Sequence, residues 1–584
     1  MKIAHPFSMI SNTAFTDEQK NYLAGRIKQC YPFLGQNAAG QFTNDPAESV
    51  EKVYAYPIDE LCKEELIKHE RNGLDVWDQM VKNADLGIFP QNGDLFRYKF
   101  YGMFHVTPAQ ESMMLRMRIP GGQLQSYQLK GIAEIAEDWC GNYMHITTRG
   151  NMQTREIMPE NVVNILTKLA DLGLTSKGAG ADNVRNVTAN PTSGFDRQEI
   201  IDVLPYAKAM HHYILNNRDL YGMPRKFNIS FDSGGEISTA ADSNDIGFYA
   251  TTVEEGHGVE PGIYFRMELC GISGHKQLAT DSGLLVKPSE SVAICAAILR
   301  VFIENGYRDN RKKARLKYLM DDWGMQKFLD AVQEKLTFPL NYFPVENCEA
   351  KAKRPKDRQA HVGVHPQSQE GLSYVGVVNT VGLISPDQAR KMAELSEKYG
   401  KGEVRLTIWQ NTIIPHVPND KVDALVKELN DFGLKTSVSA FSNGLISCTG
   451  SFGCKFAATA TKEHSVEIAE FLESKFELDT PINVHFTGCN HSCAQHYCGD
   501  LGFMGAVCKV DGESVEGYHI VVGGGMDDIS GVAKDLYQSV PYTEVPEKVE
   551  NMISTYLKNR KDSETFVSFT RRHTTDELLE LFNA

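Results

Sequence analysis

An α+β fold built twice within one chain is what this sequence predicts, on three observations. A block of about fifty residues recurs, without a gap, at a constant separation of 260 positions. Within each copy the apolar residues switch between the helix period and the strand period, so each copy is a mixed unit rather than a bundle or a barrel. The residues able to carry chemistry are shared unequally, with closely spaced cysteines following the second copy and an excess of arginines in and after the first. A duplicated fold with unlike halves predicts one shared site where they meet.

At 584 residues the chain has room for several domains. A net charge of −15 argues against general nucleic-acid binding, which needs clustered Lys and Arg facing phosphates. Nowhere do about 18 apolar residues run together, so no membrane span is expected. The start, Met1-Lys2-Ile3-Ala4-His5-Pro6, lacks the apolar core of a secretory signal. Twelve cysteines, two pairs of them close together, suit metal or redox use in a reducing cytoplasm better than a disulfide framework.

In chain order, residues 1–95 read as an N-terminal extension of helix and loop, with helical patterning at Asp59–Leu66 and no recognisable site chemistry. Leu95–Tyr101 alternates basic and apolar residues and reads as a strand. Leu115–Gly122 repeats that alternation and ends on Pro-Gly-Gly, a turn. Arg116 and Arg118, two apart, share one face of such a strand, which a solvated surface accounts for when they are taken alone. Then come a helix over Gln128–Glu137, paired strands over Tyr143–Ile157 and a helix over Asn161–Leu174. Shifted by 260, Gln128, Ala133, Glu134 and Glu137 meet Gln388, Ala393, Glu394 and Glu397. Thr147 and Asn151 meet Thr407 and Asn411, and Leu169, Asp171, Gly173 and Leu174 meet Leu429, Asp431, Gly433 and Leu434. Ala350–Gln369, rich in Lys, Pro and His, reads as a linker between the halves.

After the second copy come Cys448 and Cys454, five residues between them, then Cys489 and Cys493, three residues between them. Thiolate is the ligand of soft metals and of iron–sulfur clusters, and four thiolates close a [4Fe–4S] cube. Zinc knuckles place two to four residues between paired ligands, so the wider first gap leans toward a cluster while leaving zinc, or plain buried thiols, open. Cys498 and Cys508 match no ligand position. The first half has no such ligands but supplies Arg116, Arg118, Arg149, Arg155, Arg185, Arg225, Lys226 and Arg311. Any one of these is explained by a surface ion pair. Set among Gly, Thr and Asn in turns, they suggest recognition of carboxylates or small oxyanions, for which the planar guanidinium fork is suited.

Over residues 95 to about 570 the chain resembles the sirohaem- and [4Fe–4S]-containing nitrite and sulfite reductases. The resemblance rests on Leu115-Arg-Met-Arg-Ile-Pro-Gly-Gly122, Thr147-Thr-Arg-Gly-Asn-Met-Gln153, Asn183-Val-Arg-Asn-Val187 and Pro224-Arg-Lys-Phe227. It continues through Asn310-Arg-Lys-Lys-Ala-Arg-Leu-Lys-Tyr318 and both cysteine pairs in order. It implies a pseudo-twofold architecture of ferredoxin-like half-domains and two sirohaem/Fe–S-binding domains. The implied division is an extension (1–95), half-domain copy 1 (96–178), sirohaem/substrate-binding domain copy 1 (179–345), linker (346–369), half-domain copy 2 (370–438) and [4Fe–4S]/sirohaem-binding domain copy 2 (439–584). Cys448, Cys454, Cys489 and Cys493 are implied cluster ligands, with Cys493 also bridging to the sirohaem iron. Sirohaem carries many carboxylates, and by motif position Arg118, Thr148, Arg149, Asn151, Gln153, Arg225 and Arg311 are implied to hold it. Arg116, Arg185 and Lys226 are implied to line the open face where the substrate anion binds, and Lys226 to pass protons.

Position 228 bears on the substrate. Sulfite-type members carry a second lysine there and nitrite-type members asparagine; this chain has Asn228. One cation fewer suits a monoanion. The expected reaction is therefore six-electron reduction of nitrite to ammonia, with sulfite reduction as the alternative and a precorrin-3B synthase-like oxygenase behind it. The chain departs from the family at Cys489-Asn490-His491-Ser492-Cys493, where members read Cys-Pro-Asn-x-Cys: His491 stands in place of an asparagine that helps hold sirohaem. Gly523-Gly524-Gly525 does not match a dinucleotide fingerprint, and no flavin or nicotinamide module is evident, so electrons are expected from a separate protein such as ferredoxin. Lys312, Lys313, Arg315 and Lys317 are candidate docking residues, though solvation of a helix face explains them equally. A cytoplasmic monomer is expected.

Overall fold

The computed structural model describes residues 56–584, so the extension before Tyr56 lies outside the described residues. Four five-stranded sheets organise the rest, in two matching pairs. The duplication is visible residue by residue. Helix Ser126–Trp139 reappears as Pro386–Tyr399 and helix Val162–Asp171 as Val422–Asp431, each displaced by 260 positions. Both first helices start with the same device, a capping box closed by a glutamine three residues in: Gln125 with Gln128, and Ser385 with Gln388. The reciprocal bonds satisfy backbone N–H groups that a helix start leaves unpaired.

The two half-domain sheets exchange strands. Met103–His105, Met113–Arg116, Asn151–Ile157 and Met144–Thr147 form a sheet completed by Leu383–Ile384 of the second copy. Gly363–Pro366, Leu372–Val377, Thr412–Pro418 and Glu403–Leu406 are completed by Gln123–Gln125 of the first. Each donated strand follows a turn that needs glycine. Gly122 has φ +72°, and a Cβ there would lie 2.3 Å from the Leu406 carbonyl oxygen; Gly382 has φ +72°, with the Ile146 carbonyl oxygen 2.4 Å away. Those two contacts are images of each other under the 260 shift. The interface is apolar and continuous, since Ile132, Ile146 and Ile165 share one core with Met392, Leu406 and Leu425.

The remaining sheets also match, although no sequence repeat was evident there. Thr188–Ala189, Ile229–Asp232 and Ile246–Val253 run parallel and continue antiparallel into Gly262–Leu269 and Thr280–Val286. Leu445–Ser447, Val484–Thr487 and Leu501–Val510 run parallel and continue antiparallel into Glu513–Val522 and Lys534–Pro541. Cores tolerate extensive apolar substitution when volume and pattern are kept, so topology outlasts identity.

Two expectations are corrected. Leu95–Tyr101 is not a strand: Asp94–Arg97 is α-helical and Tyr98–Tyr101 a 3₁₀ turn, so the boundary placed at residue 95 falls inside a helix. Gly93 before it and Gly102, at φ +74° after it, punctuate a helix, and this outweighs a short alternating run. The expected strand Leu115–Gly122 ends at Arg116, because Pro120 and the positive-φ Gly121 and Gly122 turn the chain.

Nor does the stretch 346–369 run free. Lys356 Nζ binds Asp232 Oδ1 (2.9 Å) of the first half, while Arg358 pairs through both terminal nitrogens with Asp500 of the second. Ala360 and His361 are buried, and Gly363–Pro366 is a strand. Beside this strap, buried carboxylates meet across the seam. Asp242 Oδ2 accepts from the Asp527 backbone N–H (3.0 Å) and from Ser530 Oγ (2.7 Å), and Tyr249 Oη donates to Asp527 Oδ1 (3.1 Å). Burial raises both carboxyls above the usual range, most for want of water and further through nearby acids. Lys356 opposes this at Asp527 and Lys351 at Asp242. No helix among the described residues is long and apolar enough to cross a membrane.

Candidate active site

Both cysteine loops leave the same edge of one sheet. Strands Leu445–Ser447 and Val484–Thr487 are parallel neighbours, and the ligand loops begin at their carboxyl ends, with Cys448 and Gly488-Cys489. The Cys448 backbone N–H donates to the Phe486 carbonyl (3.0 Å), and the Gly488 N–H donates to Cys448 Sγ (3.2 Å). Thr461 Oγ1 donates to the Cys448 carbonyl (2.9 Å). Gly450 sits at φ +70° with the Thr461 backbone nitrogen 2.6 Å from where its Cβ would be, so only glycine turns the loop there.

The first half pins both loops. From strand Asn151–Ile157, the buried Arg155 donates through Nη1 to the Gly453 carbonyl (2.9 Å) and through Nη2 to Thr449 Oγ1 (3.0 Å). From the turn before that strand, Thr148 Oγ1 donates to the Cys493 carbonyl (2.9 Å). Both halves thus contribute hydrogen bonds to the cysteine site.

Among the described residues no group of three or more His, Cys, Asp or Glu side chains closes on a point that could hold a single metal ion. The four thiols nonetheless sense one another, since burial first, then Cys493, Cys454 and Cys448, pushes the Cys489 thiol up to about 12. Four thiols on two adjacent loops that close on no single metal point are compatible with a cube, whose ligands stand on separate iron corners. Cys498 is buried against the apolar core and Cys508 is buried on its own strand, neither in the site.

Over Cys493 lies a cationic pocket. Burial depresses the Arg116 guanidinium, and the Cys493 and Cys454 sulfurs act the other way. Arg185 is held well below its usual value, first by burial, then by Arg116 and Arg225. Lys226 is lowered by burial and by Arg315 and raised by Cys493. Arg116 and Lys226 thus act on Cys493, and Arg185 and Arg225 act on those cations.

The expected cofactor-holding residues divide in two. Arg149, depressed to about 10 chiefly by burial, is anchored to the Asn186 carbonyl (Nη2, 2.6 Å) and Asn244 Oδ1 (2.8 Å). Arg311 and Arg225 reach Asp182, treated below. Arg118 is 1% exposed and donates to the Val184 carbonyl (2.5 Å), leaving Nη2 without a partner. Asn151 donates to the Met117 carbonyl (2.5 Å), leaving Oδ1 without one. Arg185 donates to the carbonyls of Ala179 (2.6 Å) and Ala181 (2.8 Å), leaving Nε unpaired. Buried polar atoms left unpaired cost about 1–3 kcal/mol each; the Arg118 Nη2 donor fits a carboxylate-rich group and the Arg185 Nε donor an anion, while Asn151 Oδ1, an acceptor, calls for a donor. Gln153 faces Arg155 Nη2 (3.4 Å), inside the loop-pinning group.

Asn228 enters through its backbone, whose N–H donates to Asp245 Oδ2 (2.8 Å). Asp245 is also bound by Arg315 (Nη2 to Oδ2, 2.8 Å), which is therefore buried and no docking residue. Lys312 and Lys313 are exposed, while Lys317 pairs with Asp321 (2.6 Å). His491 is exposed; its Nδ1 lies 3.5 Å from Cys489 Sγ and its ring meets Phe456 edge-on at 5.0 Å. Arg155 was legible as a site residue, since Asn151, Gln153 and Arg155 alternate on one strand face.

The comparisons agree with this geometry. A family model described as the nitrite and sulphite reductase 4Fe-4S domain matches residues 180–340 and 443–583. One described as the nitrite/sulfite reductase ferredoxin-like half domain matches 105–172 and 365–432, ranges again displaced by 260. The chain is 34% identical to the ferredoxin–nitrite reductase of Synechococcus elongatus over 507 residues, covering 85% of this chain and 96% of that one. It is 32% identical to the assimilatory ferredoxin-dependent nitrite reductase of Haloferax mediterranei, covering 83% and 86%. Among solved structures it superposes on the NirA protein of Mycobacterium tuberculosis with a TM-score of 0.81 at 28% identity, covering 89% of this chain and 97% of that one.

Proposed function

Because the chain belongs to the nitrite and sulfite reductase family, we propose that it reduces nitrite to ammonia, taking six electrons from a separate ferredoxin-type donor. The observation that carries the reading is the shared wall between thiols and cations: Thr148 of the first half holds the Cys493 carbonyl at 2.9 Å, beside a pocket of mutually perturbed Arg and Lys side chains. Cys448, Cys454, Cys489 and Cys493 would hold the cluster, and Arg118, Arg149, Arg225 and Arg311 the carboxylates of sirohaem. Thr148, Asn151 and Gln153 would support them. When bound, sirohaem and cluster together supply the electrons and the site where the anion is reduced.

The chain's own part is electrostatic and protic. Arg116 and Arg185 present N–H groups to the anion from half-buried positions, where charge stabilisation is worth more than in water. Lys226 Nζ adds a third cation and holds a proton to be delivered as N–O bonds break. Asn228 leaves the pocket one cation short of the sulfite type, which favours the monoanion nitrite; sulfite reduction is the second reading. The domain division by residue range, the docking role of Lys312 and Lys313, and action as a cytoplasmic monomer belong to the same proposal. A reducing compartment keeps the four thiols available for iron.

The absorption spectrum of the purified protein tests the cofactor assignment. An isobacteriochlorin band with an iron–sulfur shoulder is expected; a colourless protein would overturn it.

A further inference from the structure

The part of the chain before residue 105 lies outside both matched family models, yet it reaches the site. Helix Lys63–Glu70 buries Glu65 (1% exposed) and Lys68 (5%) against the cationic pocket's outer wall. There Asp182, with no exposed surface, receives Arg311 through both terminal nitrogens (Nη1 to Oδ2 and Nη2 to Oδ1, each 2.8 Å). Lys68 Nζ lies 3.2 Å from Asp182 Oδ2, and Arg225 Nη1 3.9 Å from Oδ1. Lys68 also donates to the Met223 carbonyl (2.8 Å), two residues before Arg225, and pairs with Glu65. Glu65 accepts in turn from the buried Arg308 (2.7 Å), and Glu64 Oε1 lies 3.2 Å from Arg311 Nε. Burial alone would raise the Asp182 carboxyl; Lys68, Arg311 and Arg225 outweigh it and hold it down to about 2.

We propose that Asp182, with Glu64 and Lys68 of the N-terminal helix, is the positioning group that aims Arg311 and Arg225 at the tetrapyrrole carboxylates. The inference rests on the functional reading above. Four cations, Lys68, Arg225, Arg308 and Arg311, face three carboxylates, so Arg311 is held by hydrogen bonds and Arg225 is drawn to Asp182 by charge before any anionic group arrives. Of the five guanidinium N–H groups of Arg311, Asp182 and Glu64 engage three, which leaves one on each terminal nitrogen for a further acceptor. A pre-oriented fork loses less freedom on binding than a mobile one. Helix Lys63–Glu70 is therefore part of the tetrapyrrole site, acting through Asp182 and Arg311.

The test uses the loaded full-length enzyme and follows tetrapyrrole and cluster bands separately during prolonged dialysis. Asp182→Asn and Lys68→Met should release tetrapyrrole at least tenfold faster than wild type, and Glu64→Ala about threefold faster. Cluster absorbance should be retained in all three. General loosening of the fold would release both groups together, and that result would overturn the positioning role. Glu64 is half-buried, the least enclosed of the three, so Glu64→Ala decides the matter if the buried variants fail to fold. Variants that release tetrapyrrole at the wild-type rate overturn the inference alone. A wild-type chain that never carries tetrapyrrole overturns the functional reading and this inference with it.

Discussion

Arg155→Met removes the arginine that staples the first cysteine loop to the opposite half while keeping an unbranched apolar stem. Two charge-assisted hydrogen bonds disappear, to the Gly453 carbonyl (2.9 Å) and Thr449 Oγ1 (3.0 Å). Hydrogen bonds to charged groups contribute roughly 1.5–3 kcal/mol each, but a freed surface-proximal hydroxyl such as Thr449 recovers water. The net loss is then dominated by the Gly453 carbonyl, about 2 kcal/mol. At about 1.4 kcal/mol per factor of ten, loop opening becomes roughly thirtyfold more frequent. Iron loss that proceeds through local opening should accelerate by that factor. The assay is bleaching of the iron–sulfur absorbance by an excess of iron chelator, run alongside thermal unfolding of the same samples. Bleaching within twofold of wild type would refute the reasoning. So would a fall in thermal stability with bleaching unaltered, which would make Arg155 a residue of the fold and not of the loop.

Asn228→Lys restores the second cation of the sulfite type and should move the ratio of nitrite to sulfite kcat/KM at least tenfold toward sulfite, read with a reduced viologen donor. Gly122→Ala and Gly382→Ala should each destabilise by more than about 2 kcal/mol, and by similar amounts because their contacts with Leu406 and Ile146 are symmetry images; denaturant unfolding measures both. The Asp242–Asp527 seam gives a pH dependence. Both carboxyls are raised, so the folded chain holds protons there that the unfolded chain releases. The stability they contribute is complete below about pH 4, the unfolded carboxylate value, and is lost as pH rises through the raised values. Asp527→Asn should flatten the decline of Tm across that span, and an unchanged slope would count against the seam.

Much of the fold was legible because duplication is a signal no single propensity can imitate. The helices at Ser126 and Pro386 and their capping glutamines stand where the 260 shift puts them. The second pair of matching sheets left no repeat in the residues and followed only from the family resemblance, since apolar cores keep their pattern while exchanging their residues. Leu95–Tyr101 misled because period-two alternation over seven residues also describes a short helix with Phe96, Tyr98 and Phe100 buried between two glycines. In the site, the cysteines and the arginines carried their chemistry in residue type and spacing. Lys68 and Glu65 did not: on an amphipathic helix they look like an ordinary i,i+3 surface pair, and only the tertiary fold places Asp182 against them. Arg315 failed in the opposite direction, reading as a docking cation although Asp245 holds it inside.

The most direct test of the central claim is steady-state turnover of the purified enzyme on nitrite and on sulfite with one reduced viologen donor, with ammonium and sulfide counted as products. Nitrite is predicted to give stoichiometric ammonium, at six electrons consumed per nitrite, with the higher kcat/KM. A kcat/KM favouring sulfite, or nitrite consumed without ammonium, would contradict the account.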